Sequence, residues 1–205
     1  MIRKIILRNL LYKPSGTLLS IVLLMFGTGI ISLLLLLNTQ IQSKFDNDLK
    51  DIDLVIGAKG SPLQLVLSAV YHVDAPTGNI KEADARKVLN SPLVEQATPL
   101  AYGDAYRSFR IVGTDASYLQ KYNAVFRAGG MFKEELEVVL GDQVAVATGL
   151  TIGDTFTGTH GLGKEGHAHD EFEYKVVGIV EKTRTVLDNL VLTSVASVWR
   201  IHHQE

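Results

Sequence analysis

The pattern of hydrophobic and polar positions is dominated by one apolar run near the N-terminus, TLLSIVLLMFGTGIISLLLLL at residues 17–37. This run has no charged residue in 21 positions, and a helix of that length spans about 31 Å. That matches the ~30 Å hydrocarbon core of a bilayer, where a single segment must be helical to satisfy its backbone polar groups. No small-residue cleavage site follows at 38–41. We therefore expect a retained transmembrane helix rather than a signal peptide or a buried core helix.

The charges beside this run predict its orientation. No acidic residue occurs before Asp46, and four basic residues precede the run: Arg3, Lys4, Arg8 and Lys13. Positive residues remain on the cytoplasmic side of a membrane span. We therefore expect a cytoplasmic N-terminus and a single span in a bacterial inner (plasma) membrane, with everything after Leu37 exported to the periplasm or the cell surface.

The short N-terminal segment has a helical pattern of its own. Residues 2–12 mix apolar and basic side chains, as in amphipathic helices that lie on a membrane surface, although a polar tail would supply the same charges. We expect Pro14-Ser15-Gly16 to break this helix. The predicted division is therefore a cytoplasmic amphipathic segment at 1–16, a transmembrane helix at 17–37 and an exported domain at 38–205.

The exported part alternates short strand-like and helix-like patterns. Residues 40–50 are expected to extend the membrane helix outward, and Ser61-Pro62 has the residues of a helix start. Further helices are predicted at 81–89, around 118–119, at 141–147 and at 194–202. Strands are predicted at 53–58, 94–102, 106–113, 137–140, 155–157, 173–180 and 189–193. This order indicates an α+β fold, and we expect two lobes, roughly 50–125 and 126–193.

Composition narrows the possible functions. The exported part carries 16 basic and all 22 acidic residues of the chain, a net charge near −6, which argues against a nucleic-acid partner. The chain has no cysteine, so thiol catalysis and cysteine metal sites are excluded. We find no Ser-His-Asp spacing and no nucleophile elbow, and we expect no enzymatic activity.

Two glycine patterns resemble phosphate-binding loops, and we reject both. Residues 158–165 match G-x-x-x-x-G-K, but Glu165 stands where a P-loop needs Ser or Thr for magnesium. Residues 161–166 match G-x-G-x-x-G. A polar run and a predicted strand follow both patterns, whereas a phosphate loop leads into a helix.

The same loop is rich in metal-ligand side chains. The stretch GTHGLGKEGHAHDEFE brings three imidazoles and several carboxylates close together in sequence, and the candidate ligands are His160, His167, His169, Asp170 and Glu171. These are ligand types that zinc accepts, and the glycines would let the loop wrap around a cation. The alternative is a solvated loop whose histidines have no metal role.

Other candidates have simpler explanations. We expect His72 to be a hydrogen-bonded structural histidine. The helical stripe from Leu63 to Val70 favours core packing over a partner surface. His202 and His203, beside Trp199, are candidates for a cluster at the membrane interface.

Taken together, several motifs resemble the MacB/FtsX-type permease subunits of ABC transporters. They are G-G-M-F at 129–132, EVVLGDQVA at 137–145, the Gly153-Asp154 turn and YKVVGIV at 174–180, in a chain that begins with a basic segment and one span. The resemblance implies a periplasmic core domain and three further spans, which would belong to a longer gene product or to another chain.

The resemblance also implies a function. A cytoplasmic ABC ATPase, on a separate subunit, would hydrolyse ATP and move the exported domain for export, lipoprotein release or signalling. The implied partners are that ATPase, a second permease protomer, the lipid bilayer and a periplasmic adaptor or substrate. The competing hypothesis is a membrane-tethered module that binds or senses zinc through the histidine loop.

Overall fold

The structure is a computed structural model of the protein that describes residues 4, 8, 12–159 and 168–202, with side chains at 168–171 and 202 excluded. It divides the chain into two compact units, Met1–Asn47 and Asp48–Glu205.

The first unit contains most of helix α1, Pro14–Leu49, which is long and apolar enough to cross a membrane. Several of its hydroxyl groups bond within the helix: Ser20 Oγ donates to the Gly16 carbonyl at 3.0 Å, and Thr28 Oγ1 to the Leu24 carbonyl at 2.9 Å. Such bonds suit a lipid environment, which offers no other partner. The predicted extension through 40–49 is confirmed. The predicted break lies at Lys13, a bend between helical Tyr12 and Pro14, and Ser15 and Gly16 belong to the first turn of α1 because proline fits the start of a helix.

The second unit contains the remaining helices. Ser61 precedes α2 and accepts a hydrogen bond from the Gln64 backbone at 3.4 Å, so the predicted helix start is confirmed. The helices are α2 Pro62–Ala69, α3 Glu82–Leu89, α4 Ala116–Lys121, α5 Asp142–Thr148 and α6 Val195–His202, with a 3₁₀ helix at Val186–Asn189.

One seven-stranded sheet organises this unit, in the order β3-β6-β4-β7-β2-β1-β5. The pairs β2–β7 and β4–β6 are parallel and the others are antiparallel; β5 also pairs with β6. The strands are β1 Ala101–Tyr106, β2 Phe109–Thr114, β3 Phe126–Gly129, β4 Glu137–Leu140, β5 Thr155–Thr159, β6 Ala168–Val180 and β7 Leu190–Ser194.

Hydrophobic side chains cover both faces of the sheet, because successive strand residues point in opposite directions. Val138 and Leu140 belong to one buried cluster, together with Val144 of α5 and Ile201 of α6. Val139 belongs to a second cluster with α4 side chains and Leu187. The fold is therefore α+β, as predicted.

The strand predicted at 53–58 is wrong: this segment is irregular, Leu54 is 73% exposed, and the Ala58 carbonyl accepts from Thr77 Oγ1 at 2.9 Å instead of a strand partner. The two-lobe division stays a prediction. Strands from both predicted ranges join the same sheet, with β2 paired to β7 from Arg110 to Thr114.

Candidate functional site at the end of helix α1

The last turn of α1 contains a buried acidic residue. Among residues 14–49, all of which the structure describes, Asp48 alone is buried, with 1% of its surface exposed. Its Oδ1 accepts a hydrogen bond from the backbone N–H of Val186 at 2.9 Å. Val186 begins the 3₁₀ helix, where a backbone N–H has no partner within the helix. The carboxylate of Asp48 therefore caps an element that lies between β6 and β7.

The loop that receives Asp48 is held in shape by a second aspartate. Asp188 accepts three hydrogen bonds, from Thr183 N at 2.8 Å, Thr183 Oγ1 at 2.7 Å and Arg184 N at 2.8 Å. Arg184 has a φ of +62°, a left-handed conformation that costs energy for a residue with a side chain. The Asp188 bonds offset that cost and hold the Val186 N–H in position for Asp48.

Helix α4 contacts the same turn of α1. The Tyr122 hydroxyl, just after α4, donates to the main-chain carbonyl of Asp48 at 3.3 Å and accepts from Lys121 Nζ at 3.0 Å. Burial lowers the pKa of Lys121 to about 8, although the negative charges of Asp51 and Asp48 oppose the shift. Asp48 is thus held through both its side chain and its backbone.

A buried histidine extends these contacts toward α2. His72 is 7% exposed, and its ring lies between two tyrosines: Nδ1 is 2.7 Å from the Tyr102 hydroxyl and Nε2 is 2.7 Å from the Tyr118 hydroxyl. The Tyr102 hydroxyl also donates to the carbonyl of Ser68 in α2. Burial, followed by the charges of Arg110 and Lys121, lowers the pKa of His72 to about 3. The expectation of a hydrogen-bonded structural histidine is confirmed.

These residues form one buried group, which we call the anchor cluster: Asp48, His72, Tyr102, Tyr118 and Tyr122. The rings of Tyr118 and Tyr122 meet edge to face at 5.3 Å, which connects the histidine to the tyrosine that contacts Asp48. The cluster joins three parts of the chain that are far apart in sequence. They are the end of α1, the residues just after α2, and the stretch that runs from β1 through α4. Its polar groups bond to one another, so the arrangement is suited to holding backbone segments in register.

The predicted metal ligands fall largely beyond what the structure describes. His160 and His167 lie outside the described residues. His169, Asp170 and Glu171 are in β6, but their side chains are not described. Elsewhere, within the described parts of the chain, no three His, Asp or Glu side chains form a group that would hold a metal ion. The metal site stays a prediction.

The base of the histidine loop is described. Thr159 at the end of β5 pairs with Ala168 at the start of β6, so residues 160–167 connect two paired strands. Gly158 lies against Asp104, which is 2% exposed: a Cβ on that glycine would be 2.9 Å from Asp104 Oδ2. A buried carboxylate therefore lies beside the strand that enters the loop.

The other sequence predictions have mixed outcomes. In the apolar stripe from Leu63 to Val70, Val70 is buried in the core, as predicted, but Leu63 is exposed. The rejected phosphate patterns lie mostly outside the described residues, and a strand rather than a helix follows them. The side chain of His202 and all of His203 also lie outside the described set, so the membrane-interface cluster stays a prediction.

Sequence reasoning missed Asp48, Tyr102, Tyr118 and Tyr122 as functional residues. Asp48 lies in a run of polar residues, FDNDLKD, where an acidic residue on a solvated helix face is the ordinary interpretation. The only available signal was its position at the junction between the predicted helix extension and the first irregular segment.

Comparison with known proteins gives a family match. The model of the MacB-like periplasmic core domain matches residues 17–204. A search of curated proteins finds no match.

Among solved structures, the periplasmic region of MacB from Actinobacillus actinomycetemcomitans is 14% identical with a TM-score of 0.48, and the match covers 71% of this chain and 65% of that one. The extracellular domain of YknZ, a noncanonic ABC-type transporter from Gram-positive bacteria, is 13% identical with a TM-score of 0.42, covering 60% and 67%. The chain thus spans less than two thirds of the MacB region.

Proposed function

Because the chain belongs to the MacB-like periplasmic core domain family, we propose that it is the anchored, exported part of an ABC transporter permease subunit. Helix α1 would lie in the inner membrane with a cytoplasmic N-terminus, as the four basic residues before the apolar run indicate. Residues 48–205 would then lie on the periplasmic side. The chain itself would catalyse no reaction.

The proposed mechanism is mechanical coupling through α1. A separate cytoplasmic ABC ATPase hydrolyses ATP, and the resulting movement travels along α1 to the exported domain. The observation that carries this proposal is the Asp48–Val186 hydrogen bond. A continuous helix of 36 residues is about 54 Å long, and its last turn is tied by a buried carboxylate to the 3₁₀ helix before β7. Displacement of the helix end would therefore move the sheet.

The partners follow from the same proposal. The ATPase binds on the cytoplasmic side, and a second permease protomer completes the transporter. A periplasmic adaptor or the substrate meets the exported domain, whose movement drives export, lipoprotein release or signalling.

Affinity purification from native membranes tests the permease assignment. The tagged gene product should bring down an ABC ATPase, identified by mass spectrometry. Asp48→Ala should bring down the same ATPase, because the anchor cluster is assigned to the opposite side of the membrane. Purification without any ABC ATPase would contradict the assignment.

We propose zinc binding by the histidine loop as a second candidate function, favoured by the Thr159–Ala168 pairing. His160 and His167 are each one residue from these paired positions, so the covalent chain limits how far apart they can be. Asp104 adds a buried carboxylate beside Gly158. His169, Asp170 and Glu171 would supply the remaining ligands.

Isothermal titration of the full chain in detergent with zinc tests this second candidate. We expect about one ion per chain, with affinity falling as pH drops through about 6.5, where imidazole gains a proton. The double substitution His167→Ala/His169→Ala should abolish binding. The matched control His202→Ala/His203→Ala also removes two histidines and should bind normally. Unchanged zinc binding by the first variant would refute the zinc site and leave the permease assignment unaffected.

A further inference from the structure

The environment of His72 assigns a direction to each of its hydrogen bonds. The Tyr102 hydroxyl donates its single hydrogen to the Ser68 carbonyl, so its oxygen must accept from His72. Nδ1 therefore carries the proton. A neutral imidazole has one donor and one acceptor, so Nε2 accepts from the Tyr118 hydroxyl at 2.7 Å. The chain of donors runs from Tyr118 through His72 and Tyr102 to α2.

A second proton on His72 would break this chain. Both ring nitrogens would then be donors, and the Tyr118 hydroxyl could accept from Nε2–H only by turning its own hydrogen away from the ring, toward Tyr122. The new cation would also be buried, next to the positive charges of Arg110 on β2 and Lys121 on α4. The other titratable groups around the ring are Tyr102, Tyr118, Tyr122 and Asp48, and Asp48 interacts with Tyr118.

His72 is also the residue at which the segment after α2 is held. It has a φ of +54°, a left-handed conformation that a histidine keeps only when its surroundings impose it. In addition to the hydrogen bonds of His72 and Tyr102, this segment is held by the burial of Val70 and Ser68. Losing the two ring hydrogen bonds would therefore remove this segment's tie to Tyr118 of α4 and weaken its tie to β1, where the Tyr102–Ser68 hydrogen bond would remain.

We propose that His72 is an acid-operated latch: neutral, it ties residues 66–73 to β1 and α4, and a second proton on its ring releases them. The latch depends on a closed arrangement that favours the neutral ring, because a doubly protonated ring would be a buried cation whose Nε2–H competes with the hydrogen of the Tyr118 hydroxyl. The exported domain would thereby acquire a conformational response to acidification that is independent of ATP.

The tautomer can be tested directly by NMR. Two-bond ¹⁵N–¹H correlation spectra of the full chain in detergent micelles at pH 7 distinguish protonated from bare ring nitrogens. The signals lost in His72→Gln identify the ring. We expect the proton on Nδ1 and a bare Nε2; a proton on Nε2 would overturn the assigned direction and with it the latch.

Release can be tested by hydrogen exchange of the same protein, corrected for the intrinsic effect of pH. Two amides inside the segment report on it: Val70 N–H bonds to the Val66 carbonyl and Val73 N–H to the Leu67 carbonyl. The ring pKa is about 3 in the closed state and 6.5 when released. The equilibrium constant for opening should therefore be about 10-fold higher at pH 5.5, and about 100-fold higher at pH 4.5, than at pH 7.5. The Leu140 amide in β4 should keep its protection.

Two variants make the exchange experiment decisive. His72→Gln lacks the titrating group, so its exchange at residues 66–73 should no longer depend on pH. Tyr118→Phe removes the hydrogen bond that favours a bare Nε2, so the rise in opening on acidification should be smaller than in the wild type. If the wild type shows no rise in opening between pH 7.5 and 4.5, or if His72→Gln retains the same rise, His72 is not a latch.

Discussion

The carboxylate of Asp48 accepts a hydrogen bond at 2.9 Å from the backbone N–H of Val186, joining positions 138 residues apart. Asp48 is in the last turn of the apolar helix, and Val186 begins the short helix that leads into β7. Because β7 lies in the middle of the sheet, this bond connects the helix end to the centre of the domain.

Replacing Asp48 should destabilise the domain. Asp48→Ala leaves the Val186 N–H buried without this acceptor, which should cost about 1–3 kcal/mol of unfolding free energy. The measurement is denaturant unfolding of the chain in detergent, followed by tyrosine fluorescence. Asp46→Ala is the matched control, two residues earlier on the same helix but exposed, and should change stability by less than about 0.5 kcal/mol. Equal effects of the two substitutions would argue against the anchor.

Gly141 should tolerate no side chain, because the receiving loop packs on it. A Cβ there would be 2.3 Å from the Leu187 carbonyl oxygen and 2.5 Å from that of Asp188. Gly141→Ala should therefore shift the loop and lower stability by about 1–3 kcal/mol. Gly130→Ala is the control, since a Cβ there meets nothing within 4 Å. Thermal unfolding of the two variants compares them, and a neutral Gly141→Ala would mean that the loop can move without cost.

The buried tyrosines should make the domain sensitive to alkali. Burial raises the pKa of Tyr122 from 10.0 to about 12. A folded-state pKa above the unfolded value gives stability that is present below pH 10 and lost as pH rises from 10 toward 12. In denaturant titrations, Tyr122→Phe should reduce this loss by at most about 1.4 kcal/mol per pH unit. An unchanged slope in Tyr122→Phe would show that the hydroxyl ionises normally in the folded protein.

Coupling should depend on the stiffness of α1 beyond the apolar run. Replacing Gln42 and Ser43 with glycine costs about 1 kcal/mol of helix propensity per site and permits bending, whereas two alanines keep the helix rigid. We expect the glycine pair to uncouple ATP hydrolysis from transport or release by the complete transporter, and the alanine pair to behave as wild type. Equal coupling in both variants would argue against transmission through the helix.

The orientation of α1 is tested by reporter fusions after Lys50. Alkaline phosphatase, which is active only after export, should be active at this position, and a reporter that works only in the cytoplasm should be inactive. The opposite result would reverse the assigned topology and exclude coupling from a cytoplasmic ATPase to residues 48–205.

Much of the fold was predictable because its signals are local. The apolar run predicted α1, and the short apolar, valine-rich stretch EVVL at 137–140 predicted β4 with the observed bounds. The segment 53–58 shows the limit of this reasoning: DLVIGA has the composition of a buried strand, but whether a strand forms depends on a partner elsewhere in the chain. Here the Thr77 hydroxyl donates a hydrogen bond to the Ala58 carbonyl, in place of a strand partner.

The candidate site was less predictable than the fold. Asp48 and Val186 are 138 residues apart in the chain, and neither has an unusual sequence context. His72 was correctly interpreted as a hydrogen-bonded residue, but its two tyrosine partners lie 30 and 46 residues away. Contacts of this kind depend on strand order and register, which a single sequence does not reveal.

The most direct measurement of the central claim is the ATP-dependent movement of the exported domain with and without the Asp48 anchor. The chain has no cysteine, so Lys87→Cys, at a site whose side chain is 77% exposed, gives one site for a spin label in each copy of this chain. Electron paramagnetic resonance then reports the distance between the two labels in the nucleotide-free and ATP-trapped states. The account predicts a shift in that distance for the wild type and for Asp46→Ala, and a smaller shift for Asp48→Ala even though the ATPase stays bound and active. A shift of wild-type size in Asp48→Ala would contradict it.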